Sequence, residues 1–335
     1  MQYVNLGRAG IKVSRLCLGT MMFGGATDEA ESIRIIHRAL DAGINFVDTA
    51  NMYNAGESEV VTGKALRHHR DQVIIASKAK NPMGTGPNDQ GLSRVHLIRE
   101  CENSLRRLGT DYLDVYYLHA PDLATPLDES LRTLDDLVRQ GKVRYAACSN
   151  FYAYQVALML GISAVQHLER IACVQPLYNV VNREVEVELF PFCQEQGIGV
   201  VVYSPLARGI LTGKYRPGEP IPEGSRAARG DKRIQQTELR EESYAVAQQL
   251  TPLAEARGCT VSQFALAWAL GNPIVTSAIV GPRTMEQFED SLPALEVTLT
   301  EEDERAVDDL VPAGWKTGRG YNDPNYPVRG RPRSA

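Results

Sequence analysis

Residues 113–119 read LDVYYLH, an apolar run with the character of a β-strand that ends on a polar residue. Three further stretches share this pattern: NFVD at 45–48, VIIASK at 73–78 and VVVYS at 200–204. Helix-like segments separate the four stretches, and in a (β/α)8 barrel the carboxyl ends of such strands meet at one rim, which carries the chemistry. The pattern therefore predicts an enzyme.

Eight strand candidates alternate with helix-like segments, and such alternation favours parallel strands with right-handed crossovers. The strand candidates are residues 15–19, 45–48, 73–77, 113–118, 143–148, 172–175, 199–203 and 277–280. Apolar residues at helical spacing predict a first helix before Gly43 and further helices that include 94–108, 127–140, 184–196 and 243–257. Residues 1–14 predict a hairpin outside the barrel. The predicted fold is α/β: a (β/α)8 TIM barrel with an N-terminal β-hairpin and long loops at the C-terminal rim, as a single domain over 1–335.

Two connections are unusually long for a compact domain, at 79–93 and 206–242. Loops of this length tend to be lids or binding loops, although solvated surface loops are the simpler interpretation. The C-terminal tail, 314–335, contains Trp315, Tyr321 and Tyr326. These aromatic residues predict that the tail packs on the barrel mouth or on a second subunit.

The composition favours a globular protein that binds small molecules. Hydrophobic residues make up 43% of the chain and charged residues 23%, which is ordinary for such proteins. A net charge of −5 offers no basic surface for nucleic acid. The six cysteines are scattered without a Cys-x-x-Cys motif, which predicts reduced thiols and neither a disulfide framework nor a metal site.

The chain shows no targeting or membrane signal. Its start lacks the features of a signal peptide, and its apolar runs are too short to cross a bilayer, which predicts a cytoplasmic protein with no membrane partner. The sequence contains no heptad repeat and no apolar surface stripe. It is therefore compatible with a homo-oligomer but does not predict one.

Asp48, Tyr53, Lys78 and His119 together predict a proton donor for a carbonyl group. A free phenol has a pKa near ~10, and an adjacent ammonium lowers it by favouring the phenolate. Lys78 would supply that charge, Asp48 would hold the lysine, and His119 would orient a substrate oxygen. Each residue alone has an ordinary explanation, as a loop, rim, capping or structural residue. Their joint placement at and just beyond three consecutive strands favours the catalytic interpretation.

Six stretches carry a resemblance to a known family, over nearly the whole chain. They are LCLGTMMFGG at 16–25, AGINFVDTANMYNAGESE at 42–59, SKAK at 77–80, DYLDVYYLHAPD at 111–122, GKVRYAACSNF at 141–151 and VVYSPLARGILTGKY at 201–215. In this order they resemble the aldo-keto reductases, in the branch of bacterial enzymes and potassium-channel β subunits. The resemblance implies that Tyr53 is the general acid, that Lys78 and Asp48 tune it, and that His119 orients the carbonyl.

The resemblance also implies a nicotinamide dinucleotide that lies across the barrel mouth. Consistently, no Gly-x-Gly-x-x-Gly follows a strand here. By matching position, the carboxamide would be held by Ser149, Asn150 and Gln175, and the ring of Tyr203 would stack on the nicotinamide. The pyrophosphate would be approached by Ser204, Leu206 and Gly209, with Lys214 or Arg208 as charge partner.

The stretch VGPRTMEQ at 280–287 is similar to the family's nucleotide-end motif, which includes Gly281, Arg283 and Gln287. Arg283 would pair with a 2′-phosphate, and amides at the start of the next helix would add to the anion site. The cofactor implied is therefore NADPH (NADP+) in preference to NADH, which stays possible. Many members carry Glu-Asn where this chain has Asp290-Ser291, at the adenine contacts. An arginine that caps nothing is the ordinary alternative for Arg283.

The implied function is reversible reduction of an aldehyde or ketone to an alcohol, with hydride from the nicotinamide and a proton from Tyr53. Specificity would come from Met21, Met22, Phe23, Asn54 and Tyr152, whose mainly apolar character suggests a carbonyl compound of modest polarity. The sequence does not identify that substrate. The alternative is a cofactor-sensing regulatory subunit that resembles potassium-channel β subunits, because a fold can serve more than one function.

Overall fold

The computed structural model describes residues 1–318, and eight parallel strands in it form a closed barrel. The barrel strands are β3 (Leu16–Gly19), β4 (Phe46–Asp48), β5 (Ile74–Ala79), β6 (Leu113–Leu118), β7 (Val143–Ser149), β8 (Cys173–Gln175), β9 (Gly199–Val202) and β10 (Ser277–Val280). Before them, β1 (Tyr3–Asn5) and β2 (Lys12–Ser14) pair as an antiparallel hairpin. The predicted (β/α)8 barrel and N-terminal hairpin are confirmed.

The barrel is closed by the last strand. Each strand from β3 to β9 pairs with the next in the chain, and β10 pairs with β9 and with β3, where Ala278 lies opposite Leu16. The strands are nearly continuous apolar runs because both of their faces are covered. Cys17, Phe46, Tyr117 and Cys173 are fully buried on these strands and belong to one hydrophobic cluster.

The chain folds into two compact units. The first comprises Met1–Leu177, Glu188–Tyr203 and Asn272–Leu292, and contains every barrel strand. Its helices are α1 (Glu29–Asp41), α2 (Glu57–Leu66), α3 (Arg94–Leu108), α4 (Leu127–Arg139), α5 (Ala153–Gln166), α6 (Leu189–Gln196) and α10 (Met285–Ser291). The single domain over 1–335 stays a prediction.

The helix α3 shows why some boundaries follow directly from the sequence. It begins after Ser93, whose hydroxyl accepts a hydrogen bond from the His96 amide, and ends at Gly109, a left-handed residue that closes the last turn. Its bounds are the predicted ones. The predicted helix at 184–196 is wrong in part, because a 3-10 turn at Glu184–Glu186 precedes a separate helix, α6. Pro191 lies in the first turn of α6, where proline is tolerated.

The second unit comprises Tyr178–Val187, Ser204–Gly271 and the chain from Pro293 onward. Its helices are α7 (Lys232–Thr237), α8 (Glu241–Ala256), α9 (Val261–Gly271) and α11 (Glu301–Leu310). The predicted long loop at 206–242 therefore contains α7 and a 3-10 segment, Ala207–Thr212. Arg183 is buried within this unit, where it pairs with Glu186 and Asp308.

The described part of the tail is bound to the second unit through its main chain. The carbonyl of Trp315 accepts a hydrogen bond from the Arg183 amide (2.8 Å), and the Thr317 amide donates to the Val181 carbonyl (3.1 Å). The Trp315 side chain is 52% exposed. Tyr321 and Tyr326, on which the packing prediction also relied, lie outside the described residues.

Among residues 1–318, no helix combines the length and the apolar character that crossing a membrane requires.

Candidate active site

The four predicted catalytic residues lie at the C-terminal end of three neighbouring barrel strands. Asp48 is the last residue of β4, Lys78 lies near the end of β5, and His119 directly follows β6. Tyr53 opens a 3-10 segment, Tyr53–Gly56, in the loop after β4. Asp48, Lys78 and His119 are buried, whereas Tyr53 is half-buried. Of the four residues, Tyr53 is therefore the one that is partly accessible to solvent, and the charged pair of Asp48 and Lys78 is buried.

Lys78 connects the other members of the site. Its ammonium donates to the carboxylate of Asp48, to the carbonyl of Thr49 (2.8 Å) and to the hydroxyl of Tyr53 (3.4 Å). Burial lowers the pKa of Lys78, but the negative charge of Asp48 and the hydrogen bonds outweigh it, so the pKa lies above its ordinary value. The lysine is an ammonium at neutral pH, with its three donors directed at three oxygens.

Two aromatic rings flank this ammonium. Nζ lies 5.0 Å from the centroid of the Tyr53 ring and 5.8 Å from that of Tyr117, which is fully buried on β6. The Tyr117 hydroxyl contacts the sulfur of Cys173 at 3.3 Å. Sequence reasoning missed Tyr117. The signal that could have found it is the strand register, in which Tyr117 lies opposite Lys78.

His119 is held as a neutral imidazole. Burial lowers its pKa well below the ordinary value, and the positive charges of Lys78 and Lys80 add to that effect. Its ring stands edge-on to that of Tyr53, with 6.0 Å between centroids and an interplanar angle of 81°. The side-chain amide nitrogen of Asn81 lies 3.3 Å from Nδ1 of the ring. Asn81 is a second residue that sequence reasoning missed.

Four residues predicted to bind the nicotinamide are joined into one hydrogen-bonded chain. The Tyr203 hydroxyl donates to Asn150 Oδ1 (2.8 Å), Asn150 Nδ2 donates to Ser149 Oγ (2.9 Å), and the Ser149 hydroxyl donates to the Gln175 carbonyl (2.8 Å). Gln175 Nε2 in turn donates to Asp48 Oδ2 (2.8 Å). Gln175 therefore contacts a member of the catalytic set, a contact that sequence reasoning did not foresee.

An ionic group with two buried carboxylates supports the strand and loop that carry Lys78 and Tyr53. The guanidinium of Arg107 pairs with Glu59 (2.6 Å) and lies 3.7 Å from Glu100. Glu59 accepts a hydrogen bond from Ser77, next to Lys78, at 2.5 Å. Glu100 accepts one from Asn51, two residues before Tyr53, at 3.0 Å. Arg107, on α3, thus bridges the two carboxylates that bind Ser77 and Asn51, which lie close to Lys78 and Tyr53 in the chain.

At the predicted nucleotide end, Arg283 lies just before α10. Its main-chain amide donates to Gln287 Oε1 (2.9 Å), so the Gln287 side chain shapes this loop. The Met285 amide, in the first turn of α10, donates to the Glu31 carboxylate (2.8 Å). The Glu31 carboxylate therefore occupies part of the predicted helix-end anion site. Arg283 lies two residues before the Met285 amide that binds this carboxylate. Of the other predicted residues here, Gly281 is exposed and Asp290 is half-buried.

The remaining cofactor candidates, Ser204, Leu206, Gly209 and Lys214, lie in the second unit. Ser204 and Gly209 both adopt positive φ, at 54° and 97°. A non-glycine residue held at positive φ is uncommon and is often found in ligand-binding turns. Lys214 is exposed, with its ammonium 5.5 Å from the centroid of the Tyr215 ring. Arg208, the alternative charge partner, donates to Thr237 at 3.0 Å.

The predicted substrate residues differ in accessibility. Phe23 is fully buried, and Met21 and Met22 are half-buried. The Asn54 amide donates to the carbonyls of Met21 (3.1 Å) and Phe23 (2.7 Å), so this side chain holds the loop that carries them. Tyr152 is 50% exposed and stacks on the ring of Tyr154.

Comparisons with known proteins show the family of this chain. The model of the aldo/keto reductase family matches residues 15–312. An uncharacterized oxidoreductase of Bacillus subtilis, YrpG, is 38% identical over 96% of this chain and 99% of its own length. The aldo-keto reductase YhdN of the same organism is 35% identical, over 93% and 94% of the two chains. A probable voltage-gated potassium channel subunit beta of Arabidopsis thaliana is 37% identical, over 89% and 92%.

Proposed function

This chain belongs to the aldo/keto reductase family and is an NAD(P)H-dependent oxidoreductase of carbonyl compounds, and we propose that it reduces an aldehyde or ketone with NADPH, using Tyr53 as the proton donor. The observation that carries the proposal is the contact of the Tyr53 hydroxyl with the Lys78 ammonium at 3.4 Å. A neighbouring ammonium favours the phenolate that remains once the proton has left.

The other members of the set support the same step. Asp48 is buried against Lys78 and keeps it charged and in place. His119 is neutral, so it can donate a hydrogen bond to a carbonyl oxygen without placing a second positive charge beside Lys78. As charge develops on that oxygen, Tyr53 transfers its proton to it. In the oxidation of an alcohol, the Tyr53 phenolate would take up the hydroxyl proton, while the oxidised nicotinamide would accept the hydride.

The residues at the rim fit a nicotinamide. A carboxamide needs both donors and acceptors, and Ser149, Asn150 and Gln175 supply both within one hydrogen-bonded chain. Tyr203, whose hydroxyl is fixed by Asn150, offers a ring for stacking. When bound, the nicotinamide supplies the hydride. Within the second unit, the residues proposed for the pyrophosphate are Ser204, Leu206, Gly209 and Lys214.

We assign the choice of NADPH to Arg283, with Gly281, Gln287 and Asp290 as further contacts at the nucleotide end. A 2′-phosphate is present in NADPH and absent from NADH, and a guanidinium pairs well with it. The competing assignment gives the phosphate to basic residues of the 206–242 segment, such as Lys214 or Arg216. The proposed substrate contacts are Met21, Met22, Phe23, Asn54 and Tyr152.

The proposal is tested by supplying the purified protein with NADPH and a panel of aldehydes and ketones. We expect NADPH absorbance to decay only when a carbonyl compound is present, with formation of the matching alcohol. A protein that binds NADPH but consumes it with no member of the panel would contradict the proposal.

The free thiols of all six cysteines fit a reducing compartment, and we propose the cytoplasm.

The second candidate is a cofactor-sensing regulatory subunit. It is favoured by the similarity to the probable voltage-gated potassium channel subunit beta of Arabidopsis thaliana, at 37% identity. A sensor would retain its oxidised cofactor after one turnover, whereas an enzyme would release it and continue. Comparison of the first turnover with the steady state therefore separates the two candidates.

A further inference from the structure

Asn81 and His119 lie in two different loops of the first unit. The His119 amide donates to the Ala79 carbonyl (3.0 Å), which extends the pairing of β5 and β6, and beyond this bond the two side chains also meet. Asn81 follows β5 and His119 follows β6. The amide nitrogen of Asn81 lies 3.3 Å from Nδ1 of His119, within hydrogen-bond distance. Neither the strand register nor the catalytic set already described requires this contact.

Hydrogen bonds from main-chain amides hold the two loops in place. The Gly91 amide donates to the Lys80 carbonyl (2.7 Å), which closes the loop that holds Asn81. The Leu92 amide donates to the carboxylate of Asp122 (2.8 Å), three residues after His119. Gly91 has a φ of +93°, and a Cβ there would lie 2.7 Å from Asp122 Oδ2. These bonds hold the loops that carry Asn81 and His119, and so favour the contact between the two side chains.

A neutral imidazole carries one proton, on Nδ1 or on Nε2, and the partner of each nitrogen decides which. The amide nitrogen of asparagine donates hydrogen bonds and cannot accept them. Since that nitrogen faces Nδ1, the Nδ1 atom must be the acceptor. The ring proton then resides on Nε2.

We propose that Asn81 fixes the tautomer of His119, so that Nε2 carries the proton and donates to the substrate carbonyl. Asn81 is on this account a positioning residue, which acts through His119 without touching the substrate. The inference rests on the proposed function for the role of His119. The tautomer itself can be measured in the resting protein, independently of any turnover.

The first test is nitrogen NMR of the protein with 15N-labelled histidine. The chain has six histidines, and the His119 signals are identified by their loss in His119→Gln. We expect a protonated Nε2 and an unprotonated Nδ1 at neutral pH. A proton on Nδ1 would overturn the proposal, because the Asn81 carbonyl would then be the group that faces the ring.

The second test changes the partner. Asn81→Leu removes the donor at similar size, and we expect a mixture of tautomers and a fall in kcat of roughly 3- to 10-fold, the worth of one neutral hydrogen bond. Asn81→Asp replaces the donor by an acceptor, and we expect the proton to move to Nδ1 with a larger loss of kcat. NADPH affinity should stay within about 2-fold of the parent in both variants, because Asn81 is not among the proposed cofactor contacts.

Asn88→Asp is the matched control, since Asn88 is an exposed residue of the same loop and the substitution brings the same charge. It should leave the tautomer and kcat unchanged. If Asn81→Asp kept the proton on Nε2, the assignment to Asn81 would be refuted. A parent protein with protonated Nε2 but no carbonyl reduction would refute the proposed function and leave the tautomer assignment standing.

Discussion

The buried pair of Lys78 and Asp48 is costly for stability, because both charges leave water. We expect Lys78→Met to destabilise the protein by ~3–5 kcal/mol, since it leaves the Asp48 carboxylate buried without its partner. Adding Asp48→Asn to Lys78→Met should restore most of the lost free energy of unfolding and none of the lost turnover. Urea denaturation and NADPH oxidation measure the two effects.

The same variant tests the proposed role of the ammonium. Without it, the phenolate is disfavoured, so the basic limb of the rate profile should move to higher pH in Lys78→Met. An unchanged profile in the folded variant would make Lys78 a structural residue only.

Tyr53→Phe should separate chemistry from binding. The ring remains and the hydroxyl is lost, so kcat should fall by the ~10²–10⁴ typical of a missing general acid, with little change in NADPH affinity. Turnover with a carbonyl substrate and fluorescence titration of NADPH are the measurements. Tyr154→Phe, at an exposed tyrosine, is the control and should behave as the parent. Equal turnover in Tyr53→Phe and the parent would remove Tyr53 from the mechanism.

His119 should make the protein sensitive to acid. Burial, Lys78 and Lys80 depress its pKa in the folded state below the ordinary 6.5, so the unfolded chain takes up the proton first as pH falls. This contribution to stability is complete above the unfolded pKa and is lost as pH falls below it. Between about pH 7 and about pH 5, the free energy of unfolding should therefore decline less steeply in His119→Gln than in the parent.

Some acid sensitivity should persist in His119→Gln, because burial also lowers the pKa of His96. Identical slopes in the parent and in His119→Gln, measured by urea denaturation at several pH values, would contradict a depressed pKa for His119.

At the scale of elements, two helical glycines should respond to alanine in opposite directions. Gly63, in α2, faces the carbonyl of Leu108, and a Cβ would lie 2.3 Å from that oxygen. Gly63→Ala should cost ~1–3 kcal/mol, because the two segments must separate. Gly161, in α5, is exposed and has no atom within 4 Å of the Cβ position. Gly161→Ala should stabilise the helix by ~0.5–1 kcal/mol.

Urea denaturation of the two variants measures both effects. Equal free energies of unfolding for Gly63→Ala and the parent would show that the segments tolerate a wider spacing.

The segment between β10 and α10 should decide cofactor preference. One charge-assisted contact is worth roughly 1.5–3 kcal/mol, so Arg283→Ala should weaken NADPH binding by about one to two powers of ten. NADH binding should barely change, because it has no 2′-phosphate. Fluorescence titration with both cofactors is the measurement. Lys214→Ala tests the competing segment and should preserve the preference if Arg283 is the phosphate ligand.

Equal losses for NADPH and NADH in Arg283→Ala would instead indicate that Arg283 maintains the loop. The Glu31 carboxylate already binds the Met285 amide at the start of α10, so this amide should add little to anion binding.

Strands and helices were predictable where the local sequence pattern agreed with which residues are buried. The barrel strands are apolar runs of strand length, and each predicted strand has its counterpart in the barrel. Helix α3 has both a serine at its start and a glycine at its end. Helix α5 lacks charged residues and exposes Leu158 and Val165. Its solvent-facing side could therefore not be predicted from the pattern of polar residues. The break before α6 follows from Pro191, a signal that periodicity alone does not weigh.

At the scale of the molecule, the sequence predicted which residues meet but not how they bond. Asp48, Lys78 and His119 were predictable because parallel strands bring their ends to one rim. The bond from Gln175 to Asp48 joins β8 to β4 across the barrel, and no local pattern reports such a contact. The contact of Asn81 with His119 likewise depends on how two loops fold. The family resemblance implied the roles of Asp48, Lys78 and His119. The structure gives the hydrogen-bond partners of these three residues.

The pairing of β10 with β3 has a consequence for synthesis. Ala278 must emerge from the ribosome before Leu16 can acquire its partner, which at ~5–20 residues per second takes roughly 10–60 s. During that time β3 presents an unpaired edge, and β9 presents a second one after Gly199–Val202 has been translated. Another nascent chain can join either edge. We therefore expect a chain truncated before β10, the last barrel strand, to keep both edges unpaired and to aggregate.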